Sequence, residues 1–167
     1  MHKISLNIPT NKDIKKKFLE INPNKYAKVL LFFNLKFQGK TALVTGSGTG
    51  IGKAIATKFV ENGASVIILG RRKEPLEEAS KDLEQIISSK NSGASVKIFA
   101  GVDVADESAM NAMFDALKND NVTVDYIINN AGVSGPVTCF PNSPLKDFKS
   151  TIGIHLTGTF WGSVQAL

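Results

Sequence analysis

Cysteine is nearly absent from this chain. Cys139 is the only one among 167 residues, which excludes an intrachain disulfide and fits a reducing compartment, the cytoplasm being the expected one. Histidine is almost as scarce: His2 and His155 stand far apart, and with a single cysteine they give no spacing suited to a metal. Long apolar runs are missing too. The longest near the start, Val29 to Phe33, falls far short of the roughly 20 residues that cross a bilayer, so no membrane association through a span is expected. Arginine does not occur before Arg71. The leading segment, residues 1–38, is therefore basic through lysine alone, and it lacks the apolar stretch of a secretory signal.

The net charge of +5 belongs to that segment. Met1 to Lys40 hold nine lysines against Asp13 and Glu20, whereas the remainder carries two more acids than bases. The main body thus offers no basic field for nucleic acid. Residues 1–38 read as a loosely ordered extension, or as sequence that the mature protein does not contain. Mitochondrial targeting is an alternative, although such segments favour Arg and Ser. A nucleic-acid tail built on Lys15, Lys16 and Lys17 lacks aromatic residues for stacking, and a basic anchor through Lys12 to Lys28 is a further alternative.

From residue 39 to 167 the text changes. Nearly continuous apolar runs rich in Val and Ile occur at 41–45, 65–70, 96–101 and 124–130, as suits parallel strands buried on both faces. Helical patterns lie between them: Ile51, Ile55 and Phe59; Leu76, Ala79 and Leu83; Ala109, Met113 and Leu117. Gly63 stands where a left-handed helix cap is expected, and Pro75 near a helix start. The order β-α-β-α-β-α-β-α predicts an α/β domain, a doubly wound parallel sheet with helices on both faces.

Gly46, Gly48, Gly50 and Gly52 fall at every second position between the first strand and the first helix. In that context the backbone N–H groups and the helix N-terminus converge on one point, an anion site that a phosphate can approach closely. A nucleoside triphosphate loop is excluded twice over. Ser47 stands where its first glycine belongs, and Ala54 replaces the hydroxyl that would hold Mg²⁺. The G-x-G-x-x-G pattern is not met either, since Ile51 and Lys53 occupy the places of its last glycine.

The pattern that fits is T-G-x-x-x-G-x-G, as Thr45-Gly46, Gly50 and Gly52. With Asp103-Val104 after the third strand and Asn129-Asn130-Ala131-Gly132 ending the fourth, residues 40–167 resemble the short-chain dehydrogenase/reductase family. The resemblance implies a Rossmann-type sheet of strand order 3-2-1-4, ending here in the helix after strand 4. It further implies that Gly46 makes the turn while Gly50, Ile51 and Gly52 lie against the pyrophosphate. Asp103 would bond the adenine amino group with Val104 packing nearby, or else cap the helix that begins near Asp106. Asn130, Ala131 and Gly132 would line the ribose on the nicotinamide side, and Asn129 would brace the sheet.

Cofactor choice turns on the end of the second strand. Gly70 holds the place, eighteen residues after Gly52, where an NAD-binding unit carries an acid, and Arg71-Arg72 follow. A guanidinium pairs bidentately with a phosphate that a carboxylate would repel, so NADP(H) is expected over NAD(H), with Arg71 on the 2′-phosphate and Ser47 assisting. Arg72 reads as a solvated charge.

The family's activity uses a Tyr, a Lys four residues later, a Ser one strand earlier and a supporting Asn. Tyr26 and Tyr126 are the only tyrosines, and neither has that Lys. "IHLTGTF" resembles the segment of the supporting Asn, with His155 at its position. The chain therefore reads as the front part of a longer enzyme, inactive alone, that reduces a small-molecule carbonyl or oxidises an alcohol and in full length is a homo-oligomer. Ile152, Leu156, Phe160 and Val164, at four-residue spacing, would present an uncovered apolar face. The alternative is a non-catalytic nucleotide-binding or interaction module that needs a partner there.

Overall fold

A computed structural model of the chain describes residues 37–90, 92–135 and 142–165. The readings made for residues 1–36, and for Cys139, lie outside them. The described chain runs β1 (Thr41–Thr45), α1 (Gly50–Glu61), β2 (Ser65–Gly70), α2 (Lys73–Lys90), β3 (Val96–Ala100), α3 (Glu107–Asn119), β4 (Tyr126–Ile128) and α4 (Leu145–Ile152). A π-helical turn, Gly153–Thr157, then leads into α5 (Gly158–Gln165).

The strands form one parallel sheet of order β3-β2-β1-β4. Successive side chains of a strand point to opposite faces, and both faces of β1 and β2 are covered. Ala42, Val44, Val66 and Ile68 pack against Ala56 and Val60 of α1 and Leu76, Ala79 and Leu83 of α2. Leu43, Ile67 and Leu69 pack against Met110, Met113 and Leu117 of α3, with Ile154 from the π turn. This two-sided burial is why those runs show no polar alternation.

Two ends differ from the sequence expectation. β4 spans only Tyr126–Ile128, because beyond it the Asn130 N–H turns to the Thr45 hydroxyl and leaves the ladder. β3 stops at Ala100, where Gly101 takes a φ of 79° and turns the chain. Gly63 follows α1 at φ 88°, the left-handed cap expected there. Asp106, not Asp103, caps α3, accepting the Ala109 N–H at 3.1 Å.

The final helical stretch approaches the loop after β3 and the end of β4 through glycine. A Cβ on Gly158 would lie 2.9 Å from the Val104 carbonyl oxygen, and one on Gly162 2.9 Å from Asn129 Oδ1. Its outer face carries Ile152, Leu156, Phe160 and Val164, from 40% to 65% exposed, joined by Leu145 and Phe148.

At the opposite end of the sheet, Asp125 ties β4 to β1. Its carboxylate accepts from Lys40 Nζ at 2.7 Å and from the Thr41 N–H at 2.9 Å. The Lys40 bond, then the Thr41 bond, hold the Asp125 carboxyl below its ordinary value, and Asp125 raises Lys40. The Asp125 share of stability is present above the unfolded carboxylate value of about 3.9 and fades as pH falls through the lower folded value. The Lys40 share is complete below about 10.4 and fades as pH rises through the higher folded value. Both groups are exposed, so the effect is small. Followed by circular dichroism, the melting midpoint of Asp125→Asn should fall less between pH 5 and pH 2 than that of the parent; parallel curves would contradict the assignment.

Candidate functional site

The C-terminal ends of the four strands open into a cleft of about 270 Å³. Its walls come from the loop after β1, the ends of β2 and β3, the start of α2 and the stretch after β4.

Thr45 and Asn130 lock the loops after β1 and β4 together. The Thr45 hydroxyl accepts the N–H groups of Asn130 at 2.9 Å and Ala131 at 2.8 Å. The Asn130 amide donates to the carbonyls of Thr45 at 2.9 Å and Gly46 at 3.3 Å. Gly46 has a φ of 63°, and a Cβ there would lie 2.9 Å from Ala131 Cα. Only glycine allows that approach. A Cβ on Gly52 would lie 2.5 Å from both Asn130 Nδ2 and the Gly46 carbonyl oxygen.

Most of the expected positions come together. Gly46, Arg71, Asp103, Val104, Asn130, Ala131 and Gly132 all line the cleft. Gly50, Ile51 and Gly52 instead form the first turn of α1, with the Ile51 side chain 74% exposed. The first N–H groups of a helix have no partner within it, so this turn offers donors to an anion. Arg71 Nη1 stands 3.8 Å from Asp103 Oδ2, and the other Asp103 oxygen accepts the Ala105 N–H at 3.0 Å.

Ser47 does not serve as expected. It is fully buried, its hydroxyl donating to the Val44 carbonyl at 2.7 Å and accepting the Leu69 N–H at 3.1 Å. The first bond holds the loop against its own strand β1, the second ties it to β2, and the hydroxyl has no proton left to donate to a phosphate. Asn129, expected to brace the sheet, donates its amide to Ser163 Oγ at 3.1 Å and so ties the end of β4 to α5. His155 lies against the stretch after β4, its Nε2 3.0 Å from the Val133 nitrogen.

Other residues were missed. Thr49 is the N-cap of α1, lines the cleft, and makes no side-chain capping bond. Arg72, read as a solvated charge, shares the cleft wall with Arg71. Gly48 admits the start of α2, since a Cβ there would meet Pro75 at 3.1 Å. Thr45 opens the T-G-x-x-x-G-x-G motif, which does not reveal the fastening role of its hydroxyl; a hydroxyl at the end of an apolar strand was the available signal. Among the described residues no cluster of three or more His, Cys, Asp or Glu could hold a metal ion.

A family model described as short chain dehydrogenase matches residues 40–167. The chain belongs to the short-chain dehydrogenase/reductase family. Short-chain relatives include the NADP-dependent (R)-specific alcohol dehydrogenase of Lentilactobacillus kefiri, 33% identical over 128 residues, covering 77% of this chain and 47% of the relative. Glucose 1-dehydrogenase 2 of Bacillus subtilis is 36% identical over 129 residues, 77% of this chain and 48% of the relative. Among solved structures, L-sorbose reductase from Gluconobacter frateurii, complexed with NADPH and L-sorbose, superposes with a TM-score of 0.69 at 26% identity. That match covers 79% of this chain and 48% of the reductase. An NAD⁺-bound xylitol dehydrogenase gives 0.69 at 30% identity, covering 78% and 48%. These two solved structures thus hold different dinucleotides, and this chain spans about half the length of these relatives. No helix among the described residues is long and apolar enough to cross a membrane.

Proposed function

We propose that the cleft holds NADP(H) and that the chain supplies the cofactor-binding part of an oxidoreductase interconverting a small-molecule carbonyl and an alcohol. The observation that carries the NADP(H) preference is the end of β2. Gly70, Arg71 and Arg72 line the cleft where a carboxylate would select NAD(H). Arg71 would take the 2′-phosphate, with Arg72 and the Thr49 hydroxyl within the same wall. The cradle suits the group, since the absence of a Cβ at Gly46 and Gly52 lets the loop close against Ala131 and Asn130, where an added Cβ would lie 2.9 Å from Ala131 Cα or 2.5 Å from the Gly46 carbonyl oxygen.

In this reading the first turn of α1, at Gly50, Ile51 and Gly52, holds the pyrophosphate by its N–H groups. Asp103 accepts from the adenine amino group above Val104, and Asn130, Ala131 and Gly132 carry the ribose at the far end. Bound there, the dinucleotide supplies the hydride chemistry. A second reading, a nucleotide-binding module completed by a partner, is favoured by the exposed face of Ile152, Leu156, Phe160 and Val164. A monomeric mass by native mass spectrometry at micromolar concentration would count against it.

The proposal is tested by titrating the chain with NADPH and NADH, before and after Arg71→Glu. A charge-assisted bond contributes about 1.5–3 kcal/mol, so NADPH should bind at least about tenfold more tightly than NADH. Arg71→Glu should erase that preference while leaving NADH within about threefold. NADH preferred by the parent, or an unchanged ratio in the variant, would overturn it.

A further inference from the structure

One side chain of the last helical stretch holds the backbone of the cleft wall. His155 sits in the π turn Gly153–Thr157, 22 residues along the chain from Val133. Its Nε2 lies 3.0 Å from the Val133 nitrogen and 2.8 Å from the Val133 carbonyl oxygen. One nitrogen cannot accept from the first and donate to the second at the same time. With the proton on Nδ1, Nε2 accepts the Val133 N–H. With a proton on Nε2, in the other tautomer or the imidazolium, it donates to the Val133 carbonyl. Every protonation state therefore keeps one bond to the same residue. The ring also occupies the space beside Gly132, where a Cβ would lie 2.6 Å from Cε1.

The stretch so held has no regular structure of its own, yet Gly132 and Val133 line the cleft. The wider π turn places one extra residue in the helix. Ile154 there meets the core, while its neighbour His155 meets the loop. The order β3-β2-β1-β4 puts this contact on the β4 side of the glycine loop, with Arg71 and Asp103 on the other side, after β2 and β3.

We infer that His155 is a positioning residue, an imidazole clamp that fixes the Gly132–Val133 backbone at one end of the cleft. Its effect on a ligand rests on the dinucleotide reading above; the clamp itself does not. It acts on the nicotinamide-side half of the cofactor and leaves the half that carries the 2′-phosphate untouched.

His155→Phe keeps a ring beside Gly132 and removes the polar atom. His155→Gln keeps a donor and an acceptor at about the reach of Nε2. Hydrogen exchange of the Val133 amide in the full chain should quicken about fivefold or more in His155→Phe and return to within about twofold of the parent in His155→Gln. NADPH should bind about tenfold more weakly to His155→Phe, whereas adenosine 2′,5′-bisphosphate, which lacks the nicotinamide half, should bind within about twofold of the parent. Unchanged Val133 amide exchange together with an unchanged Val133 carbonyl-carbon shift in His155→Phe, equal weakening of both ligands, or a His155→Gln variant as impaired as His155→Phe would overturn the clamp. If the parent binds neither ligand, the dinucleotide reading fails, and the exchange and carbonyl-carbon shift measurements still decide the clamp.

Discussion

Gly52→Ala should weaken dinucleotide binding severely while the sheet still forms. The added Cβ would lie 2.5 Å from Asn130 Nδ2, 2.5 Å from the Gly46 carbonyl oxygen and 2.9 Å from Ser47 Cα. Of these only the Asn130 amide can swing away, and in doing so it drops its bonds to the Thr45 and Gly46 carbonyls. The other two atoms are backbone, so the glycine loop must shift against the first turn of α1. Such overpacking costs about 1–3 kcal/mol or more. It falls on the phosphate cradle itself, and NADPH affinity should drop about a hundredfold. Gly50→Ala is the informative neighbour. Gly50 has a φ of 56° but nothing lies within 4 Å of its added Cβ, so only backbone strain of about 1–2 kcal/mol is expected. Fluorescence titration of both variants, with circular dichroism to verify the fold, checks the contrast. Equal losses in the two would show that close packing at Gly52 is not what shapes the loop.

Thr45→Val should be the most destabilising of the conservative changes at the site. The hydroxyl it removes is the acceptor for two N–H groups, those of Asn130 and Ala131, and Thr45 is only 2% exposed. Valine fills the same volume and accepts nothing. Leaving such a donor unpaired costs about 1–3 kcal/mol. The Asn130 N–H keeps the Ile128 carbonyl at 3.0 Å, so it is chiefly the Ala131 N–H that is stranded, and about 1–3 kcal/mol should be lost from a domain with a typical margin of about 5–15. Urea unfolding should show a lower midpoint with an unchanged slope. Thr45→Ser keeps the oxygen and should lose far less. If valine and serine variants unfold at the same midpoint, the hydroxyl is not the fastener described.

The strands were legible in the sequence for a physical reason. Sandwiching β1 and β2 between helices requires unbroken apolar runs, and glycines bound them, so residues 41–45 and 65–70 read directly. The sheet order came from the family resemblance carried by the glycine loop, Asp103-Val104 and Asn129 to Gly132. What stayed hidden depends on where hydrogen bonds go. Nothing in the letters says that the Asn130 N–H leaves the ladder for Thr45 and so shortens β4. Ser47, a hydroxyl among glycines, looks like a phosphate ligand until the Val44 carbonyl is found 2.7 Å away.

The outer stripe of the last helix was legible as spacing but not as geometry. Four-residue steps in a helix of 3.6 residues per turn drift by about 40° each, and would carry the stripe around the axis. The π turn at Gly153–Thr157 offsets that drift. It also carries His155 to Val133, a contact that periodicity alone did not reveal.

The most direct measurement is an amide chemical-shift titration of the chain with NADPH. Shifts should concentrate at Gly46 to Gly52, Arg71, Asp103 and Asn130 to Val133, and omitting the 2′-phosphate should remove the Arg71 response first. Shifts confined elsewhere, or none at saturating NADPH, would contradict the placement of a dinucleotide in this cleft.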